Sequence, residues 1–157
     1  MLRIGQGVDV HPFAEERPLI LGGVKISERN GLLGHSDADV LLHAIMDALL
    51  GAVGEGDIGE LFPDTDPQYL NADSKKLLSK VWEKISADGW RIVNLDCTVL
   101  AEQPRLSPFK SRMQSSIAEV FGIESKACGL KATTTEKLGF VGRKEGIMAM
   151  AVVLLEK

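Results

Sequence analysis

Apolar residues fall in short blocks separated by glycine, proline and charged stretches, and the spacing inside each block predicts an element. Residues 2–10 predict a strand. Over 19–26, two apolar runs flank Gly22-Gly23, the signal of a hairpin with a tight turn. A helical period follows: Val40, Leu41, Ala44, Ile45, Ala48, Leu49 and Ala52 line one stripe of a first helix. Ser36 opens that helix, with Ser36 and Asp39 matching an S-x-x-D capping pattern. Gly51, Gly54, Gly56 and Gly59 end it in a flexible stretch carrying Asp57, and 61–67 is a loop pinned by Pro63 and Pro67. A second helix spans about 74–88, with Leu77, Leu78, Val81, Trp82 and Ile85 inward and Gly89 as its stop. Residues 90–101 predict a strand. Ser107-Pro108 supplies an N-cap and an N1 proline for a third helix, which runs to about Phe121 and stops at Gly122. Strands near 127–134 and 147–155 close the order.

Strands and helices that mix without strict βαβ alternation predict an α+β fold: one domain over 1–157, two layers, a mixed sheet covered by helices on one face. The last strand adds a constraint. Ile147–Leu155 shows no polar alternation, so both of its faces call for burial. Either the strand is buried wholly within one subunit, or a second copy covers the open face. The second reading predicts a homo-oligomer.

Composition narrows the partners. Hydrophobic content of 45% with 25% charged residues excludes wholesale disorder. A net charge of −4 argues against a nucleic-acid backbone, so phosphate binding here calls for a metal or a local nest of donors. Cys97 and Cys128 have no paired spacing and are expected as buried small hydrophobes without a disulfide. The first residues lack the apolar core of a secretory signal, and no run reaches the roughly 18 apolar residues of a membrane span. The expected location is cytoplasmic.

The candidate chemistry begins with histidine. All three histidines lie within the first 43 residues. Asp9 and His11, at i and i+2, share one face of a strand, and His43 sits on the first helix outside its apolar stripe. Two imidazoles and a carboxylate with a vacant fourth position are the ligand set of a catalytic zinc, although manganese or iron also accepts it. Asp47, four residues after His43, either makes a plain local hydrogen bond with it or orients its ring as a ligand from behind. His35, Ser36 and Asp37 at the helix start offer an anion site, with Ser36 also serving as a plain cap and His35 alternatively a surface histidine. Glu136, ending the run Ala132–Glu136, is a hard oxygen ligand suited to magnesium. Thr133, Thr134 and Thr135 before it are otherwise ordinary strand formers. Arg143 either binds an anion or pairs with Glu145. Asp57, Asp64 and Asp66 lie on loops, where a carboxylate is most often solvated and spacing assigns no role; the alternative is accepting hydrogen bonds from a polyol.

Six segments carry a family resemblance: G-x-D-x-H at 7–11, L-x-H-S-D-x-D at 33–39, L-x-H-A at 41–44, G-D-I-G-x-L-F-P-D-T-D-P at 56–67, A-x-x-P at 101–104 and K-A-T-T-T-E-K-L-G-F-x-G-R at 131–143. Together they resemble the 2-C-methyl-D-erythritol 2,4-cyclodiphosphate synthase family of the non-mevalonate isoprenoid pathway. The resemblance implies a lyase that cyclises a 4-(cytidine diphosphate) derivative of methylerythritol 2-phosphate, with release of CMP. It implies a homotrimer with active sites between subunits, zinc on Asp9, His11 and His43, and magnesium or manganese on Glu136. His35 and Thr134 would stabilise the transition state, with Ser36, Thr133 and Thr135 completing the phosphate cradle. Asp57, Gly59, Phe62, Asp64 and Asp66 would form the methylerythritol pocket, and Ala101, Pro104, Arg105 and Leu106 the cytosine site. Phe140 and Arg143 would lie near the trimer axis, where an isoprenoid diphosphate or similar ligand is implied. Gln6 stands where several relatives carry histidine, and Arg105 where lysine is frequent. No fused second domain is expected. Two other readings compete: a zinc hydrolase using metal-bound water, and a non-catalytic oligomeric binding module whose histidines are structural.

Overall fold

Glycines set how closely the first strand and first helix approach. In the computed structural model, which describes residues 1–157, β1 (Leu2–Ala14) runs past the expected end at Val10. Gly5, Gly7, Asp9 and His11 alternate onto one of its faces. A Cβ on Gly5 would stand 1.8 Å from the Ala48 carbonyl oxygen, and one on Gly7 would stand 1.9 Å from that of Ala44. The helix α1 (Val40–Val53) therefore lies directly on the strand backbone, an approach that only glycine permits.

The glycine hairpin forms as expected, with β2 (Leu19–Leu21) paired to β3 (Val24–Ser27), and β4 (Gly31–Leu32) follows it. After α1 come a single helical turn, α2 (Ile58–Leu61), a 3₁₀ turn at Pro67–Tyr69 and the helix α3 (Ser74–Ala87). The strand β5 (Arg91–Leu100) leads through a 3₁₀ turn at Ser107–Phe109 into α4 (Lys110–Phe121). A further 3₁₀ turn at Ser125–Ala127, β6 (Cys128–Thr133), the short α5 (Gly139–Gly142) and β7 (Gly146–Glu156) complete the order. Five strands form one mixed sheet in the order β4-β1-β7-β5-β6, parallel only between β5 and β6. No helix is long and apolar enough to cross a membrane.

Side-chain direction divides the sheet. Ile147, Ala149, Ala151, Val153 and Leu155 of β7 join Leu95, Cys97 and Val99 of β5 in the core beneath the helices. Both cysteines are buried there and unpaired. The opposite face is apolar and uncovered within one chain: Met150 is 36% exposed, Val152 41% and Ile4 72%, with Val8 and Val10 beside them. The uniform hydrophobicity of β7 is therefore not the mark of a strand buried on both sides within one subunit.

Two helix starts differ from expectation. α1 begins at Val40, capped by Asp39, whose carboxylate accepts from Leu42 N at 3.1 Å and from the Gly22 and Gly23 N–H groups at 2.9 and 2.7 Å. Ala38 adopts φ +57°, which excludes it from a right-handed helix. Ser36 thus caps nothing, and Asp39 already fills the anion-attracting end proposed for 35–37. Likewise Ser107 is not an N-cap: its Oγ accepts from Arg105 Nε at 3.0 Å, and the α-helix starts only at Lys110.

Candidate functional site

The close contact of α1 with β1 brings His43 to the strand residues. His43 Nδ1 lies 3.0 Å from Asp9 Oδ2 and 3.2 Å from His11 Nε2, while His11 Nε2 lies 2.9 Å from Asp9 Oδ2. His43 is only 8% exposed, so α1 is buried nearly all round, beyond the single stripe its apolar residues suggest.

The outer nitrogens determine what these rings can hold. His11 Nδ1 donates to the Leu33 carbonyl at 2.9 Å. His43 Nε2 faces the hydroxyls of Ser36 and Ser74, each at 3.0 Å. With hydrogens on those outer atoms, both inner nitrogens turn lone pairs toward the Asp9 carboxylate. Three acceptors within 3.2 Å of one another have no hydrogen to share unless a proton or a cation enters between them. The donor set and the second-layer hydrogen bonds both fit a divalent metal, and the three ligand atoms all lie within 4.8 Å of one another. Burial opposes charge on each partner, yet the hydrogen bonds and charges of His11 and His43 hold Asp9 at about 2, and Asp9 raises His11 above its ordinary value.

The triad opens on a cavity of about 410 Å³. His35, Ser36, Gly59, Phe62 and Asp64 line it, and Met46, Tyr69 and Leu77, unsuspected from sequence, supply part of its wall. His35 Nε2 donates to the Asp66 carbonyl at 3.0 Å, tying the 33–39 loop to the 3₁₀ turn. Arg17 grips the same loop, with its guanidinium 2.6 Å from Gly34 O and 2.5 Å from Ser36 O. Asp47 does not reach His43; its carboxylate accepts from Ile58 N at 2.9 Å and anchors α2 beside the cavity. Asp57 and Asp66 do not line the cavity, because their carboxylates cap α2 and the 3₁₀ turn.

A second cleft, of about 360 Å³, gathers Ala101, Pro104, Arg105, Leu106, Thr133 and Thr134. It shares no residue with the first. Glu136 lies on the turn beyond it, exposed, at φ +53°, with Lys137 at φ +63°. Glu102, which sequence reasoning missed, builds that turn: its Oε1 accepts from the N–H groups of Thr135 and Lys137, both at 3.1 Å. Thr135 Oγ1 donates to Leu138 O, so it closes the turn and lines neither cleft. Phe140 and Arg143 also lie outside both clefts, and Arg143 pairs with Glu145 at 2.9 Å, the plainer of the two expected roles.

Comparison with known proteins places this arrangement. The model of the YgbB family matches residues 2–156. A 2-C-methyl-D-erythritol 2,4-cyclodiphosphate synthase from Listeria monocytogenes is 59% identical over 157 residues, covering 100% of both chains. The bifunctional IspDF from Campylobacter jejuni superposes with a TM-score of 0.95 at 49% identity, over 99% of this chain and 42% of that one. This chain thus spans under half the length of the bifunctional protein. The CDP complex of IspF from Plasmodium falciparum superposes at 0.85 with 36% identity, over 98% of this chain and 95% of that one. The chain belongs to the YgbB family, that of the 2-C-methyl-D-erythritol 2,4-cyclodiphosphate synthases.

Proposed function

We propose that this chain, as one catalytic domain over 1–157 working in the cytoplasm, converts 4-diphosphocytidyl-2-C-methyl-D-erythritol 2-phosphate to 2-C-methyl-D-erythritol 2,4-cyclodiphosphate and CMP. The observation that carries the proposal is the convergence of Asp9, His11 and His43 on the wall of a cavity, with the outer nitrogen of each histidine already hydrogen-bonded. In the reaction an oxygen of the 2-phosphate forms a bond to the β-phosphorus. The bond from that phosphorus to the bridging oxygen breaks, and CMP leaves with the oxygen. No protein nucleophile is needed, so catalysis consists of positioning and charge neutralisation.

Zinc on Asp9, His11 and His43, with magnesium or manganese on Glu136, would supply Lewis-acid polarisation and neutralise the diphosphate. The chain's own groups do the orienting. His35, pinned through Nε2 to Asp66 O, lines the cavity beside Ser36 and would donate to a phosphate from Nδ1 only as the imidazolium, while the Ser36 hydroxyl can donate directly. Thr134, flanked by Thr133 and Thr135, offers hydroxyl and backbone donors to the diphosphate from the second cleft. Gly59, Phe62 and Asp64 enclose the methylerythritol, on a loop whose shape Asp57 and Asp66 hold by capping. Ala101, Pro104, Arg105 and Leu106 receive the cytosine. The CDP bound to the Plasmodium falciparum relative supports a nucleotide of this kind.

The two clefts also support a homotrimer. In one chain they share no residue, and the sheet face opposite the helices leaves Ile4, Val8, Val10, Met150 and Val152 exposed. Three copies packed on that face would set the metal cleft of one protomer against the nucleotide cleft of its neighbour. Phe140 and Arg143 would then face the three-fold axis and take an isoprenoid diphosphate or a similar ligand.

Incubation of the zinc- and magnesium-loaded protein with the cytidylylated substrate should release one CMP per cyclic diphosphate. Run in ¹⁸O-water, the product should carry no label. Labelled, open-chain phosphate would indicate metal-assisted hydrolysis, and absence of CMP would sink the proposal.

A further inference from the structure

His43 can aim an Nδ1 lone pair at the metal centre only if its hydrogen sits on Nε2, and the residues that decide this lie behind the ring. Ser74 is fully buried, with its Oγ 3.0 Å from His43 Nε2. A hydroxyl both donates and accepts, so Ser74 alone would tolerate either tautomer. Asp37 removes the choice. Its Oδ1 accepts the Ser74 hydroxyl at 2.5 Å, and its Oδ2 accepts the Ser74 N–H at 3.0 Å. An ionised carboxylate can only accept, so Ser74 gives its one hydroxyl hydrogen to Asp37 and turns lone pairs toward Nε2. Nε2 must then carry the hydrogen, which Ser36 Oγ, also at 3.0 Å, is placed to share.

We infer that Asp37 and Ser74 are positioning residues, a carboxylate–hydroxyl relay that selects the Nε2–H tautomer of His43 and so directs Nδ1 to the metal. Neither residue lines the cavity, so neither touches substrate. The inference rests on the metal reading of Asp9, His11 and His43, and its test separates the two. It resembles the carboxylate-to-histidine support common behind metal ligands, here lengthened by one hydroxyl.

Two measurements on the full chain decide it: zinc affinity by competition with a chromophoric chelator, and the ¹⁵N ring spectrum of His43 in zinc-free protein. Wild type should show the Nε2–H tautomer. Ser74→Ala should raise the zinc dissociation constant roughly 10- to 100-fold and convert the ring to a tautomer mixture. Asp37→Asn should move both readouts the same way, because its amide nitrogen must face either the Ser74 N–H, which Oδ2 receives at 3.0 Å, or the Ser74 hydroxyl and Asp39 N–H, which Oδ1 receives together. Ser79→Ala, elsewhere on α3, should leave both unchanged. A folded Ser74→Ala protein with zinc affinity within about twofold of wild type would overturn the relay, as would an Nδ1–H tautomer in wild type. If Ser74→Ala does not fold, Asp37→Asn is judged by the same criteria. A wild-type protein that binds no zinc would refute the metal reading, and the ring spectrum would still decide the relay.

Discussion

The Nε2 atom of His11 lies 2.9 Å from Oδ2 of Asp9, a contact that either a shared proton or a bound cation satisfies. Proton and metal therefore compete. His11 is raised above its ordinary value by the Asp9 hydrogen bond and charge, so acidification protonates the ligand and expels the metal. Zinc affinity measured by chelator competition should fall as pH drops below neutrality, by about tenfold per unit for one displaced proton. Stability of the zinc-free protein should move differently at each end. The His11 contribution is present in acid and is lost as pH rises through its raised value. The Asp9 contribution is present above its unfolded value of 3.8 and is lost as pH falls toward 2. An affinity flat between pH 5.5 and 8 would rule out His11 as a ligand.

Gly7 should be among the least tolerant positions in the chain. A Cβ there meets the Ala44 carbonyl at 1.9 Å, and relief requires α1 to lift from β1. Lifting α1 carries His43 away from Asp9. Gly7→Ala should therefore cost about 1–3 kcal/mol or more by overpacking and lose stoichiometric zinc as well. Gly54→Ala offers a comparison, since a Cβ at Gly54 meets nothing within 4 Å, although its φ of +76° still carries strain. It should lose stability but keep its zinc. Metal analysis of the two purified variants separates the effects.

Asp39 makes stability depend on pH near neutrality. Burial first, and the neighbouring Asp37 second, push its carboxyl up to about 7, against the pull of three backbone N–H groups. The folded state thus binds this proton more tightly than the unfolded chain does. The contribution is complete below about pH 4 and is lost as pH rises through 7. Urea unfolding should show stability declining between pH 5 and 8. Asp39→Asn should lower stability at every pH, because its amide faces the Gly23 N–H, while flattening the slope.

Glu102 and Glu136 should separate magnesium dependence from zinc content. Glu102→Ala frees the Thr135 and Lys137 N–H groups and loosens the left-handed pair at 136–137. The half-saturating magnesium concentration for CMP release should rise roughly tenfold, the equivalent of one or two lost hydrogen bonds. Glu102→Gln, which keeps an accepting oxygen, should restore most of it. Glu136→Ala should abolish the magnesium response with zinc unchanged. A wild-type response in Glu136→Ala would remove the magnesium assignment.

What the sequence made legible follows the range of the interaction. Asp9 and His11 were found because strand alternation is a local rule, and His43 because histidine is scarce here. The span of α3 came from helical periodicity closed by Gly89, and that of β7 from an unbroken apolar run. The start of α1 came from neither, because Ser36 and Asp39 imitate a local cap while Asp39 reaches back to Gly22 and Gly23, a contact no short pattern encodes. Ser74 was visible only as the head of a helix, since its partners Asp37 and His43 lie over 30 residues away. Glu102 was hidden likewise behind a turn 33 residues further along the chain.

The uncovered sheet face gives the sharpest test of assembly. Met150 and Val8 are cross-strand partners on it, and Val152 lies two residues along the same strand. All three are substantially exposed, so a charge there does not disturb the core of one chain. In a trimer the same charge would be buried without a partner, which costs several kcal/mol. Val152→Asp should elute as a monomer whose circular dichroism is unchanged, whereas wild type should scatter light at three times the chain mass. Its zinc should remain, since Asp9, His11 and His43 come from a single chain. CMP release should disappear, because the metal cleft would have no neighbour to supply the residues of the second cleft. A monomeric Val152→Asp protein that keeps full turnover would mean that one chain holds a complete active site, and the trimer would then serve stability alone.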